Sequence, residues 1–145
     1  MTAAAVKTLY LADVEVLGGR AGSARSSDGN LDVRLTQPVG ADADGEAGTN
    51  PEQLFAAAYG ACFLNGVAIV ARRMRIEPPD DLRAEVEVGL HVSGRDFGLS
   101  VGITVSMPGV DAELAQEIIE AVHQTCPYSK ATRGNIDVTL KVVAP

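Results

Sequence analysis

A long apolar run extends from residue 54 to residue 71 and contains no charged side chain. Ahead of it, Asn50 is a good N-cap, Pro51 is favoured at the first helical position, and Gln53 can complete a capping box. Pro78-Pro79 prevents continuation beyond the run. The pattern predicts one long helix. Because a helix that is apolar on every face is buried, we place it at the centre of a molecule or of a pair of molecules.

Alternation of apolar and polar residues predicts strands on both sides of this helix. The Asp28-Gly29 pair is a strong hairpin signal between two of these strands, and Ser93-Gly94-Arg95-Asp96 joins two longer ones. The predicted strands span residues 6–16, 23–27, 31–36, 82–92, 97–107 and 136–142.

A second helix is predicted after Asp111, which is a suitable N-cap. Its apolar row has i, i+4 spacing and consists of Leu114, Ile118, Val122 and Cys126. Pro127 disfavours the α conformation for the residue before it, so Cys126 is expected at a frayed helix end where a thiol can move.

These elements predict an α+β fold of antiparallel sheets packed around a long central buried helix, in a single domain over residues 1–145. Residues 37–49 are rich in glycine and acidic side chains and are predicted to form a loop and a candidate lid.

The net charge of −7 argues against a nucleic-acid partner, since binding to phosphates depends largely on cations. Residues 1–7 do not show the charged-then-apolar order of a secretory signal, so we expect a cytoplasmic protein. The apolar run reaches the lower length limit for a membrane span, but it is mostly Ala and Gly and includes Asn65. We therefore predict a core helix and no membrane partner.

The chain has two cysteines, Cys62 in the apolar helix and Cys126 before Pro127. A lone helical cysteine is usually a small core hydrophobe, but a pair in a reducing compartment also fits a redox cycle. A reactive thiol must ionise, and Cys62 is too far from its helix N-terminus for the dipole to suffice. Arg20 is a suitable cation, and Glu52 could orient it.

Glu52 and Cys62 are ten residues apart, about 15 Å along a straight helix. One continuous helix therefore cannot bring both to the same Arg20. Either the helix breaks near Tyr59-Gly60, or Arg20 and Glu52 come from a second copy of the chain. The second option also accounts for a helix without a polar face, and it predicts a tight dimer with composite sites.

A zinc site is a weaker alternative. His123 and Cys126 are spaced i, i+3 and would need Cys62 and His91 as further ligands, but the chain has no Cys-x-x-Cys motif. His91 is expected on the wet face of its strand. His123 is expected to be a helix-end cation or a solvated surface residue.

Two motifs resemble the organic hydroperoxide resistance (Ohr) proteins of the Ohr/OsmC superfamily. One runs from Asn50 to Phe63 and contains Ala61-Cys62-Phe63, and the other is Cys126-Pro127-Tyr128-Ser129 through Asn135. The resemblance begins near Leu9 and includes Gly18-Gly19-Arg20.

The resemblance implies an intertwined homodimer and a thiol peroxidase that reduces organic and lipid-derived hydroperoxides. Cys62 would be the peroxidatic cysteine, Cys126 the resolving cysteine, and Arg20 with Glu52 the charged network. No bound cofactor or metal is implied. The electron donor would be a dithiol, dihydrolipoamide on a lipoylated protein. We expect candidate walls of the substrate pocket at Phe55, Phe63 and Tyr128, for which plain core packing is the alternative.

Two other functions stay open at this point: a peroxide-responsive redox sensor or binding module without significant turnover, and a purely structural dimer. Gly60, Asn65 and Gly66 depart from the residues that the family commonly shows. Two glycines inside a helix cost about 1 kcal/mol each relative to alanine, and two explanations stay open, close helix packing at the dimer interface or a local break of the helix.

Overall fold

The computed structural model describes residues 3–38 and 47–144, in two compact units, Met1–Pro51 and Glu52–Pro145. Of the predicted loop over residues 37–49, positions 39–46 lie outside the described residues, so its proposed role as a lid stays a prediction.

The first unit is built on a three-stranded antiparallel sheet in the order β1 (Val14–Leu17), β2 (Ser23–Ser26) and β3 (Asp32–Arg34). The predicted hairpin is confirmed. Its turn has Gly29 at φ 75°, and an Asp28 carboxylate oxygen accepts hydrogen bonds from the Ser26 hydroxyl and the Asn30 amide.

The predicted first strand over residues 6–16 is wrong at its start. β1 begins only at Val14, and residues 3–13 have no regular secondary structure. Apolar side chains in this segment are exposed, Val6, Leu9 and Leu11 among them. The β-rich composition predicted a strand there, but a strand forms only where another strand satisfies its backbone hydrogen bonds.

The second unit contains the long helix α1 (Pro51–Arg73), which is continuous through Tyr59-Gly60. A break at this position, one of the two options that the sequence left open, is therefore excluded. One row of side chains at i, i+4 spacing is buried in the core, and it consists of Tyr59, Phe63, Val67 and Ala71. The opposite row is exposed in the single chain, and it consists of Ala57, Ala61, Asn65 and Ile69. The helix is thus buried along one face only.

The two unexplained glycines of α1 allow close packing. A Cβ at Gly66 would lie 2.8 Å from a methyl group of Val122, and one at Gly60 would lie 3.0 Å from a methyl group of Val86. Both distances are shorter than ordinary carbon contacts. Glycine at these positions therefore lets α1 approach its neighbours closely, whereas Asn65 lies on the exposed row.

The sheet of this unit pairs β4 (Arg83–Ser93) with β5 (Asp96–Ser106) as the predicted antiparallel hairpin. The third strand, β6 (Asp137–Val143), pairs with β5 in parallel. The α+β class is confirmed, and this sheet is mixed rather than purely antiparallel. The reason is the connection: α2 (Ala112–Thr125) and α3 (Pro127–Thr132) lie between the two strands and provide the crossover that parallel pairing needs.

The Asp111 cap is confirmed, since its carboxylate accepts hydrogen bonds from the amides of Glu113 and Leu114. Ile118, Val122 and Cys126 of the predicted row are buried with the inner row of α1.

By length and composition alone, α1 could also cross a membrane, and 28% of its most apolar stretch is buried inside the chain. A helix in a protein core can have the same length and composition. The buried inner row favours the core interpretation, and the exposed outer row leaves room for a partner.

Candidate active site

The two cysteines face each other although 64 residues separate them. Cys62 lies in the middle of α1, and Cys126 is the joint between α2 and α3, where its extended backbone (φ −60°, ψ 127°) ends one helix before Pro127 starts the next. The two sulfur atoms are 3.9 Å apart, and both thiols are free. The proline-linked joint thus places Cys126 against α1, at the end of α2 as predicted. This end is not frayed, because the Cys126 amide donates to the Val122 carbonyl and α3 starts at Pro127.

The two thiols differ in access. Cys126 is 4% exposed, whereas Cys62 is half-buried between the inner and outer rows of α1. A molecule approaching from solvent therefore meets Cys62 first.

Burial raises the pKa of the Cys62 thiol, and the neighbouring Cys126 thiol raises this pKa further. The backbone N–H of Tyr128, which donates to Cys62, acts in the opposite direction but is the smaller effect. Within this unit the environment on balance disfavours the Cys62 thiolate. A reactive Cys62 consequently needs a positive charge nearby.

A buried polar network lies beside the thiols, and the sequence analysis missed it. The Tyr59 hydroxyl is 2.8 Å from the Ser129 hydroxyl, which is in turn 2.9 Å from Nδ1 of His123. The Thr132 hydroxyl lies 3.4 Å from that of Tyr59 and donates to the carbonyl of Ser129. The signal available in the sequence was spacing. Tyr59 is three residues before Cys62, His123 is three residues before Cys126, and Ser129 is three residues after Cys126.

The prediction that His123 is a helix-end cation or a solvated surface residue is wrong. The side chain is half-buried, and desolvation, with a further effect of the Arg133 charge, lowers its pKa from 6.5. His123 is therefore neutral at pH 7 and serves as a hydrogen-bond partner of Ser129.

The three predicted pocket residues have different environments. Phe63 is fully buried in the core, in edge-to-face contact with Tyr59. Phe55 is partly buried on the other side of Tyr59, and Tyr128 is 36% exposed and stacks on Tyr59 with ring centroids 5.8 Å apart. Phe55 and Tyr128 thus retain surface that a ligand can contact, whereas Phe63 is fully buried against Tyr59.

Glu52 lies in the first turn of α1, ten residues from Cys62 along an unbroken helix. Arg20 belongs to the first unit, where it is half-buried in a short 3-10 helix, Gly19–Ala21. Gly18 and Gly19 before it have φ values of 70° and 60°, which favour glycine, so the predicted Gly-Gly turn is confirmed. The roles of Arg20 and Glu52 stay predictions.

Over residues 3–38 and 47–144, no group of three or more His, Cys, Asp or Glu side chains could hold a metal ion. The residues that the zinc alternative named do not form such a group. His91 hydrogen-bonds the Ser100 hydroxyl at 2.7 Å, and His123 uses Nδ1 for Ser129.

The α+β unit with two facing thiols can be compared with known proteins. A family model described as an OsmC-like protein matches residues 42–141. The organic hydroperoxide resistance protein of Xanthomonas axonopodis pv. citri is 44% identical over 134 residues, covering 92% of this chain and 94% of that protein. The organic hydroperoxide resistance protein OhrB of Bacillus subtilis is also 44% identical over 134 residues, covering 92% and 98%.

Solved structures agree. The crystal structure of OhrB matches with a TM-score of 0.83 and covers 94% of this chain and 100% of its own. An organic hydroperoxide resistance protein from Elizabethkingia anophelis is 39% identical, with a TM-score of 0.88 and coverage of 97% and 100%. The chain belongs to the OsmC-like family, in its organic hydroperoxide resistance (Ohr) group.

Proposed function

We propose that this protein is a Cys-based thiol peroxidase that reduces organic hydroperoxides, including lipid-derived ones, to alcohols. The observation that carries the proposal is the 3.9 Å approach of the Cys62 and Cys126 sulfurs, with Cys62 the more accessible. The names of the relatives support hydroperoxides as the substrate class. The reaction sequence and the residue roles are our proposal.

In the first step, the Cys62 thiolate attacks the distal oxygen of the hydroperoxide. The O–O bond breaks, the peroxide is reduced to an alkoxide that leaves as the alcohol after protonation, and Cys62 is oxidised to a sulfenic acid. Access supports this assignment, because Cys126 is buried and Cys62 is only half-buried.

Arg20 is proposed as the cation at Cys62, with Glu52 orienting the guanidinium. The supporting argument is electrostatic: burial and Cys126 raise the pKa of Cys62, so a fixed positive charge is needed to restore the thiolate. The same charge would stabilise the departing alkoxide.

In the second step, Cys126 attacks the Cys62 sulfenic acid, forming a Cys62–Cys126 disulfide and releasing water. A disulfide requires a sulfur separation of about 2.0 Å. The sulfurs at 3.9 Å therefore need to close by roughly 2 Å. A dithiol, dihydrolipoamide on a lipoylated protein, would then reopen the bridge by thiol–disulfide exchange.

The aromatic side chains support a preference for alkyl over hydrogen peroxide. Phe55 and Tyr128 offer apolar surface around Tyr59, and Phe63 contacts Tyr59 in the core. An alkyl chain gains about 25 cal/mol for each Å² of apolar surface that it buries there.

We further propose a homodimer of single domains spanning residues 1–145. Two observations support the dimer: the outer row of α1 is exposed, and α1 is unbroken between Glu52 and Cys62, about 15 Å apart. Arg20 and Glu52 would then serve the Cys62 of the partner. The Xanthomonas and Bacillus relatives align with 92% of this chain, which includes most of both compact units and supports one domain. The cytoplasm is the proposed location because the thiols need a reducing compartment.

The primary experiment mixes reduced protein with cumene hydroperoxide and follows peroxide loss with dihydrolipoamide, thioredoxin or glutathione as the donor. Cys62→Ser should consume no peroxide, and Cys126→Ser should accept one oxidation and then accumulate higher oxidation states of Cys62. Stoichiometric oxidation without turnover by any donor would indicate a sensor instead. An inert Cys126→Ser variant beside an active Cys62→Ser variant would reverse the two roles.

Composite sites are tested by mixing Arg20→Ala and Cys62→Ser subunits, each inactive alone. If Arg20 acts across the interface, each mixed dimer contains one site with both native residues and recovers about half of the wild-type activity. Mixed dimers without activity would show that Arg20 acts within its own subunit.

A further inference from the structure

The polar network beside the thiols has a regular relation to them. Tyr59 is three residues before Cys62 on α1, His123 is three residues before Cys126 on α2, and Ser129 is three residues after it on α3. The hydroxyl of Ser129 bonds both other side chains, at 2.8 Å to Tyr59 and 2.9 Å to His123. A single serine therefore links all three helices that present the cysteines.

The network is deep in the protein. Tyr59 and Ser129 are 0% exposed, and among residues 3–38 and 47–144 no buried side-chain nitrogen or oxygen lacks a hydrogen-bond partner. Buried polar groups are costly when unpaired, and a fully paired network fixes one arrangement of its elements. Here the elements that it fixes are those that carry the two thiols.

The His123–Ser129 bond bridges the joint at Cys126. His123 lies on the α2 side and Ser129 on the α3 side, so their bond restrains the angle at which the two helices meet. The Tyr59–Ser129 bond then holds this corner against α1. The restrained corner also carries Tyr128, whose backbone N–H donates to Cys62.

We propose that Tyr59, Ser129 and His123 are positioning residues for the resolving step, holding Cys126 within reach of oxidised Cys62. The proposal rests on the proposed peroxidase function. In that step the Cys126 sulfur attacks the sulfenic sulfur, an S–S bond forms and the S–O bond breaks. Cys126 is oxidised, the sulfenic sulfur is reduced, and the Cys126 proton leaves with the hydroxide as water. None of the three side chains exchanges atoms with the substrate.

The test compares the two oxidation steps in single turnover with one equivalent of cumene hydroperoxide. Tyr59→Phe removes the hydrogen bonds of Tyr59 to Ser129 and Thr132. His123→Leu removes the bond of His123 to Ser129, while His123→Asn keeps an amide near the position of Nδ1. We expect Tyr59→Phe and His123→Leu to slow disulfide formation about tenfold and to leave sulfenic acid formation within twofold of wild type. His123→Asn should restore most of the resolving rate.

One control variant and one further measurement make the result specific. Ile118→Val creates a small defect in the core of α2, away from the network, and should lower the melting temperature without changing the ratio of the two rate constants. Mass spectrometry with excess peroxide should show more Cys62 sulfinic acid in Tyr59→Phe and His123→Leu, because slow resolution leaves the sulfenic acid exposed to a second oxidation.

Wild-type resolving rates in Tyr59→Phe and His123→Leu would overturn the proposal. Equal slowing of both steps would also overturn it, since that result shows a general packing role.

Oxidised glutathione provides a second oxidant, because Cys126 must resolve the mixed disulfide that glutathione forms at Cys62. If wild type fails to react with hydroperoxide, the peroxidase function fails. Slowing of the glutathione reaction by the two variants would still support the positioning role.

Discussion

The two faces of α1 have opposite surroundings although both are almost entirely apolar. The inner row, which begins at Tyr59, fills the core with aromatic and branched side chains, whereas the outer row consists of two alanines, Asn65 and Ile69 and is exposed in the single chain. Cys62 lies between the two rows and is half-buried. A helix without a polar face thus separates a packed side from an open one, and the candidate nucleophile is at their boundary.

The largest expected effect is on the inner row. Phe63→Ala removes a fully buried ring and should lower the free energy of unfolding by about 3–5 kcal/mol at any protein concentration. Chemical denaturation measures this change. Ile69→Ala on the outer row, 41% exposed in the single chain, is the matched comparison, and its cost should depend on protein concentration if a second copy covers it. Equal and concentration-independent costs would contradict the distinction between the faces.

The outer row should control assembly. Ile69→Lys places a charge in the proposed dimer interface and should weaken dimerisation at least a hundredfold, because an unpaired charge is costly to bury. Sedimentation velocity measures the change, and circular dichroism checks that the monomer stays folded. Leu114→Lys on α2, with a similar exposure of 37%, is the control and should remain dimeric. A wild-type protein that is monomeric at micromolar concentration would refute the proposed interface.

A smaller effect is expected at the glycine contact of α1. Gly66→Ala should cost about 1–3 kcal/mol of stability, because the added methyl group would lie 2.8 Å from Val122. Gly60→Ala, at 3.0 Å from Val86, should cost less because a smaller adjustment relieves it. Thermal denaturation of both variants gives the ranking. A stabilised Gly66→Ala, as helix propensity alone would predict, would show that the close packing is not needed.

The smallest effect is expected on the pKa of Cys62, which lies between the inner and outer rows of α1. Cys126→Ser removes the neighbouring thiol that raises the pKa of Cys62, so this pKa should fall while the effect of burial remains. The thiolate would then form at lower pH, and the pH profile of Cys62 alkylation should shift towards acid. Thr125→Ala, next to the thiol but exposed, should leave the profile in place. An unchanged or alkaline-shifted profile in Cys126→Ser would contradict the electrostatic coupling.

Local patterns predicted most of the elements. The start of α1 at Pro51, the turn at Asp28-Gly29 and the row ending at Cys126 depend on neighbouring residues, so the sequence contained their determinants. Residues 6–13 matched a strand pattern as well, but strand formation requires a partner strand that local sequence does not reveal. The parallel pairing of β6 likewise depends on how the crossover folds.

The candidate site was only partly predictable. Both cysteines stood out by their context, and the motif resemblance supplied their roles. The Tyr59–Ser129–His123 network joins residues up to 70 positions apart, and no local pattern distinguished these side chains from ordinary core or surface residues. The close packing at Gly66 also became understandable only once Val122 was seen opposite it.

The central claim is that Cys62 and Cys126 form one redox couple that reduces an organic hydroperoxide. Its most direct test adds one equivalent of cumene hydroperoxide to the reduced protein and quantifies both products by mass spectrometry. We predict one cumyl alcohol and one intramolecular Cys62–Cys126 disulfide per chain. Unreacted thiols, or disulfides that join two chains, would contradict the account.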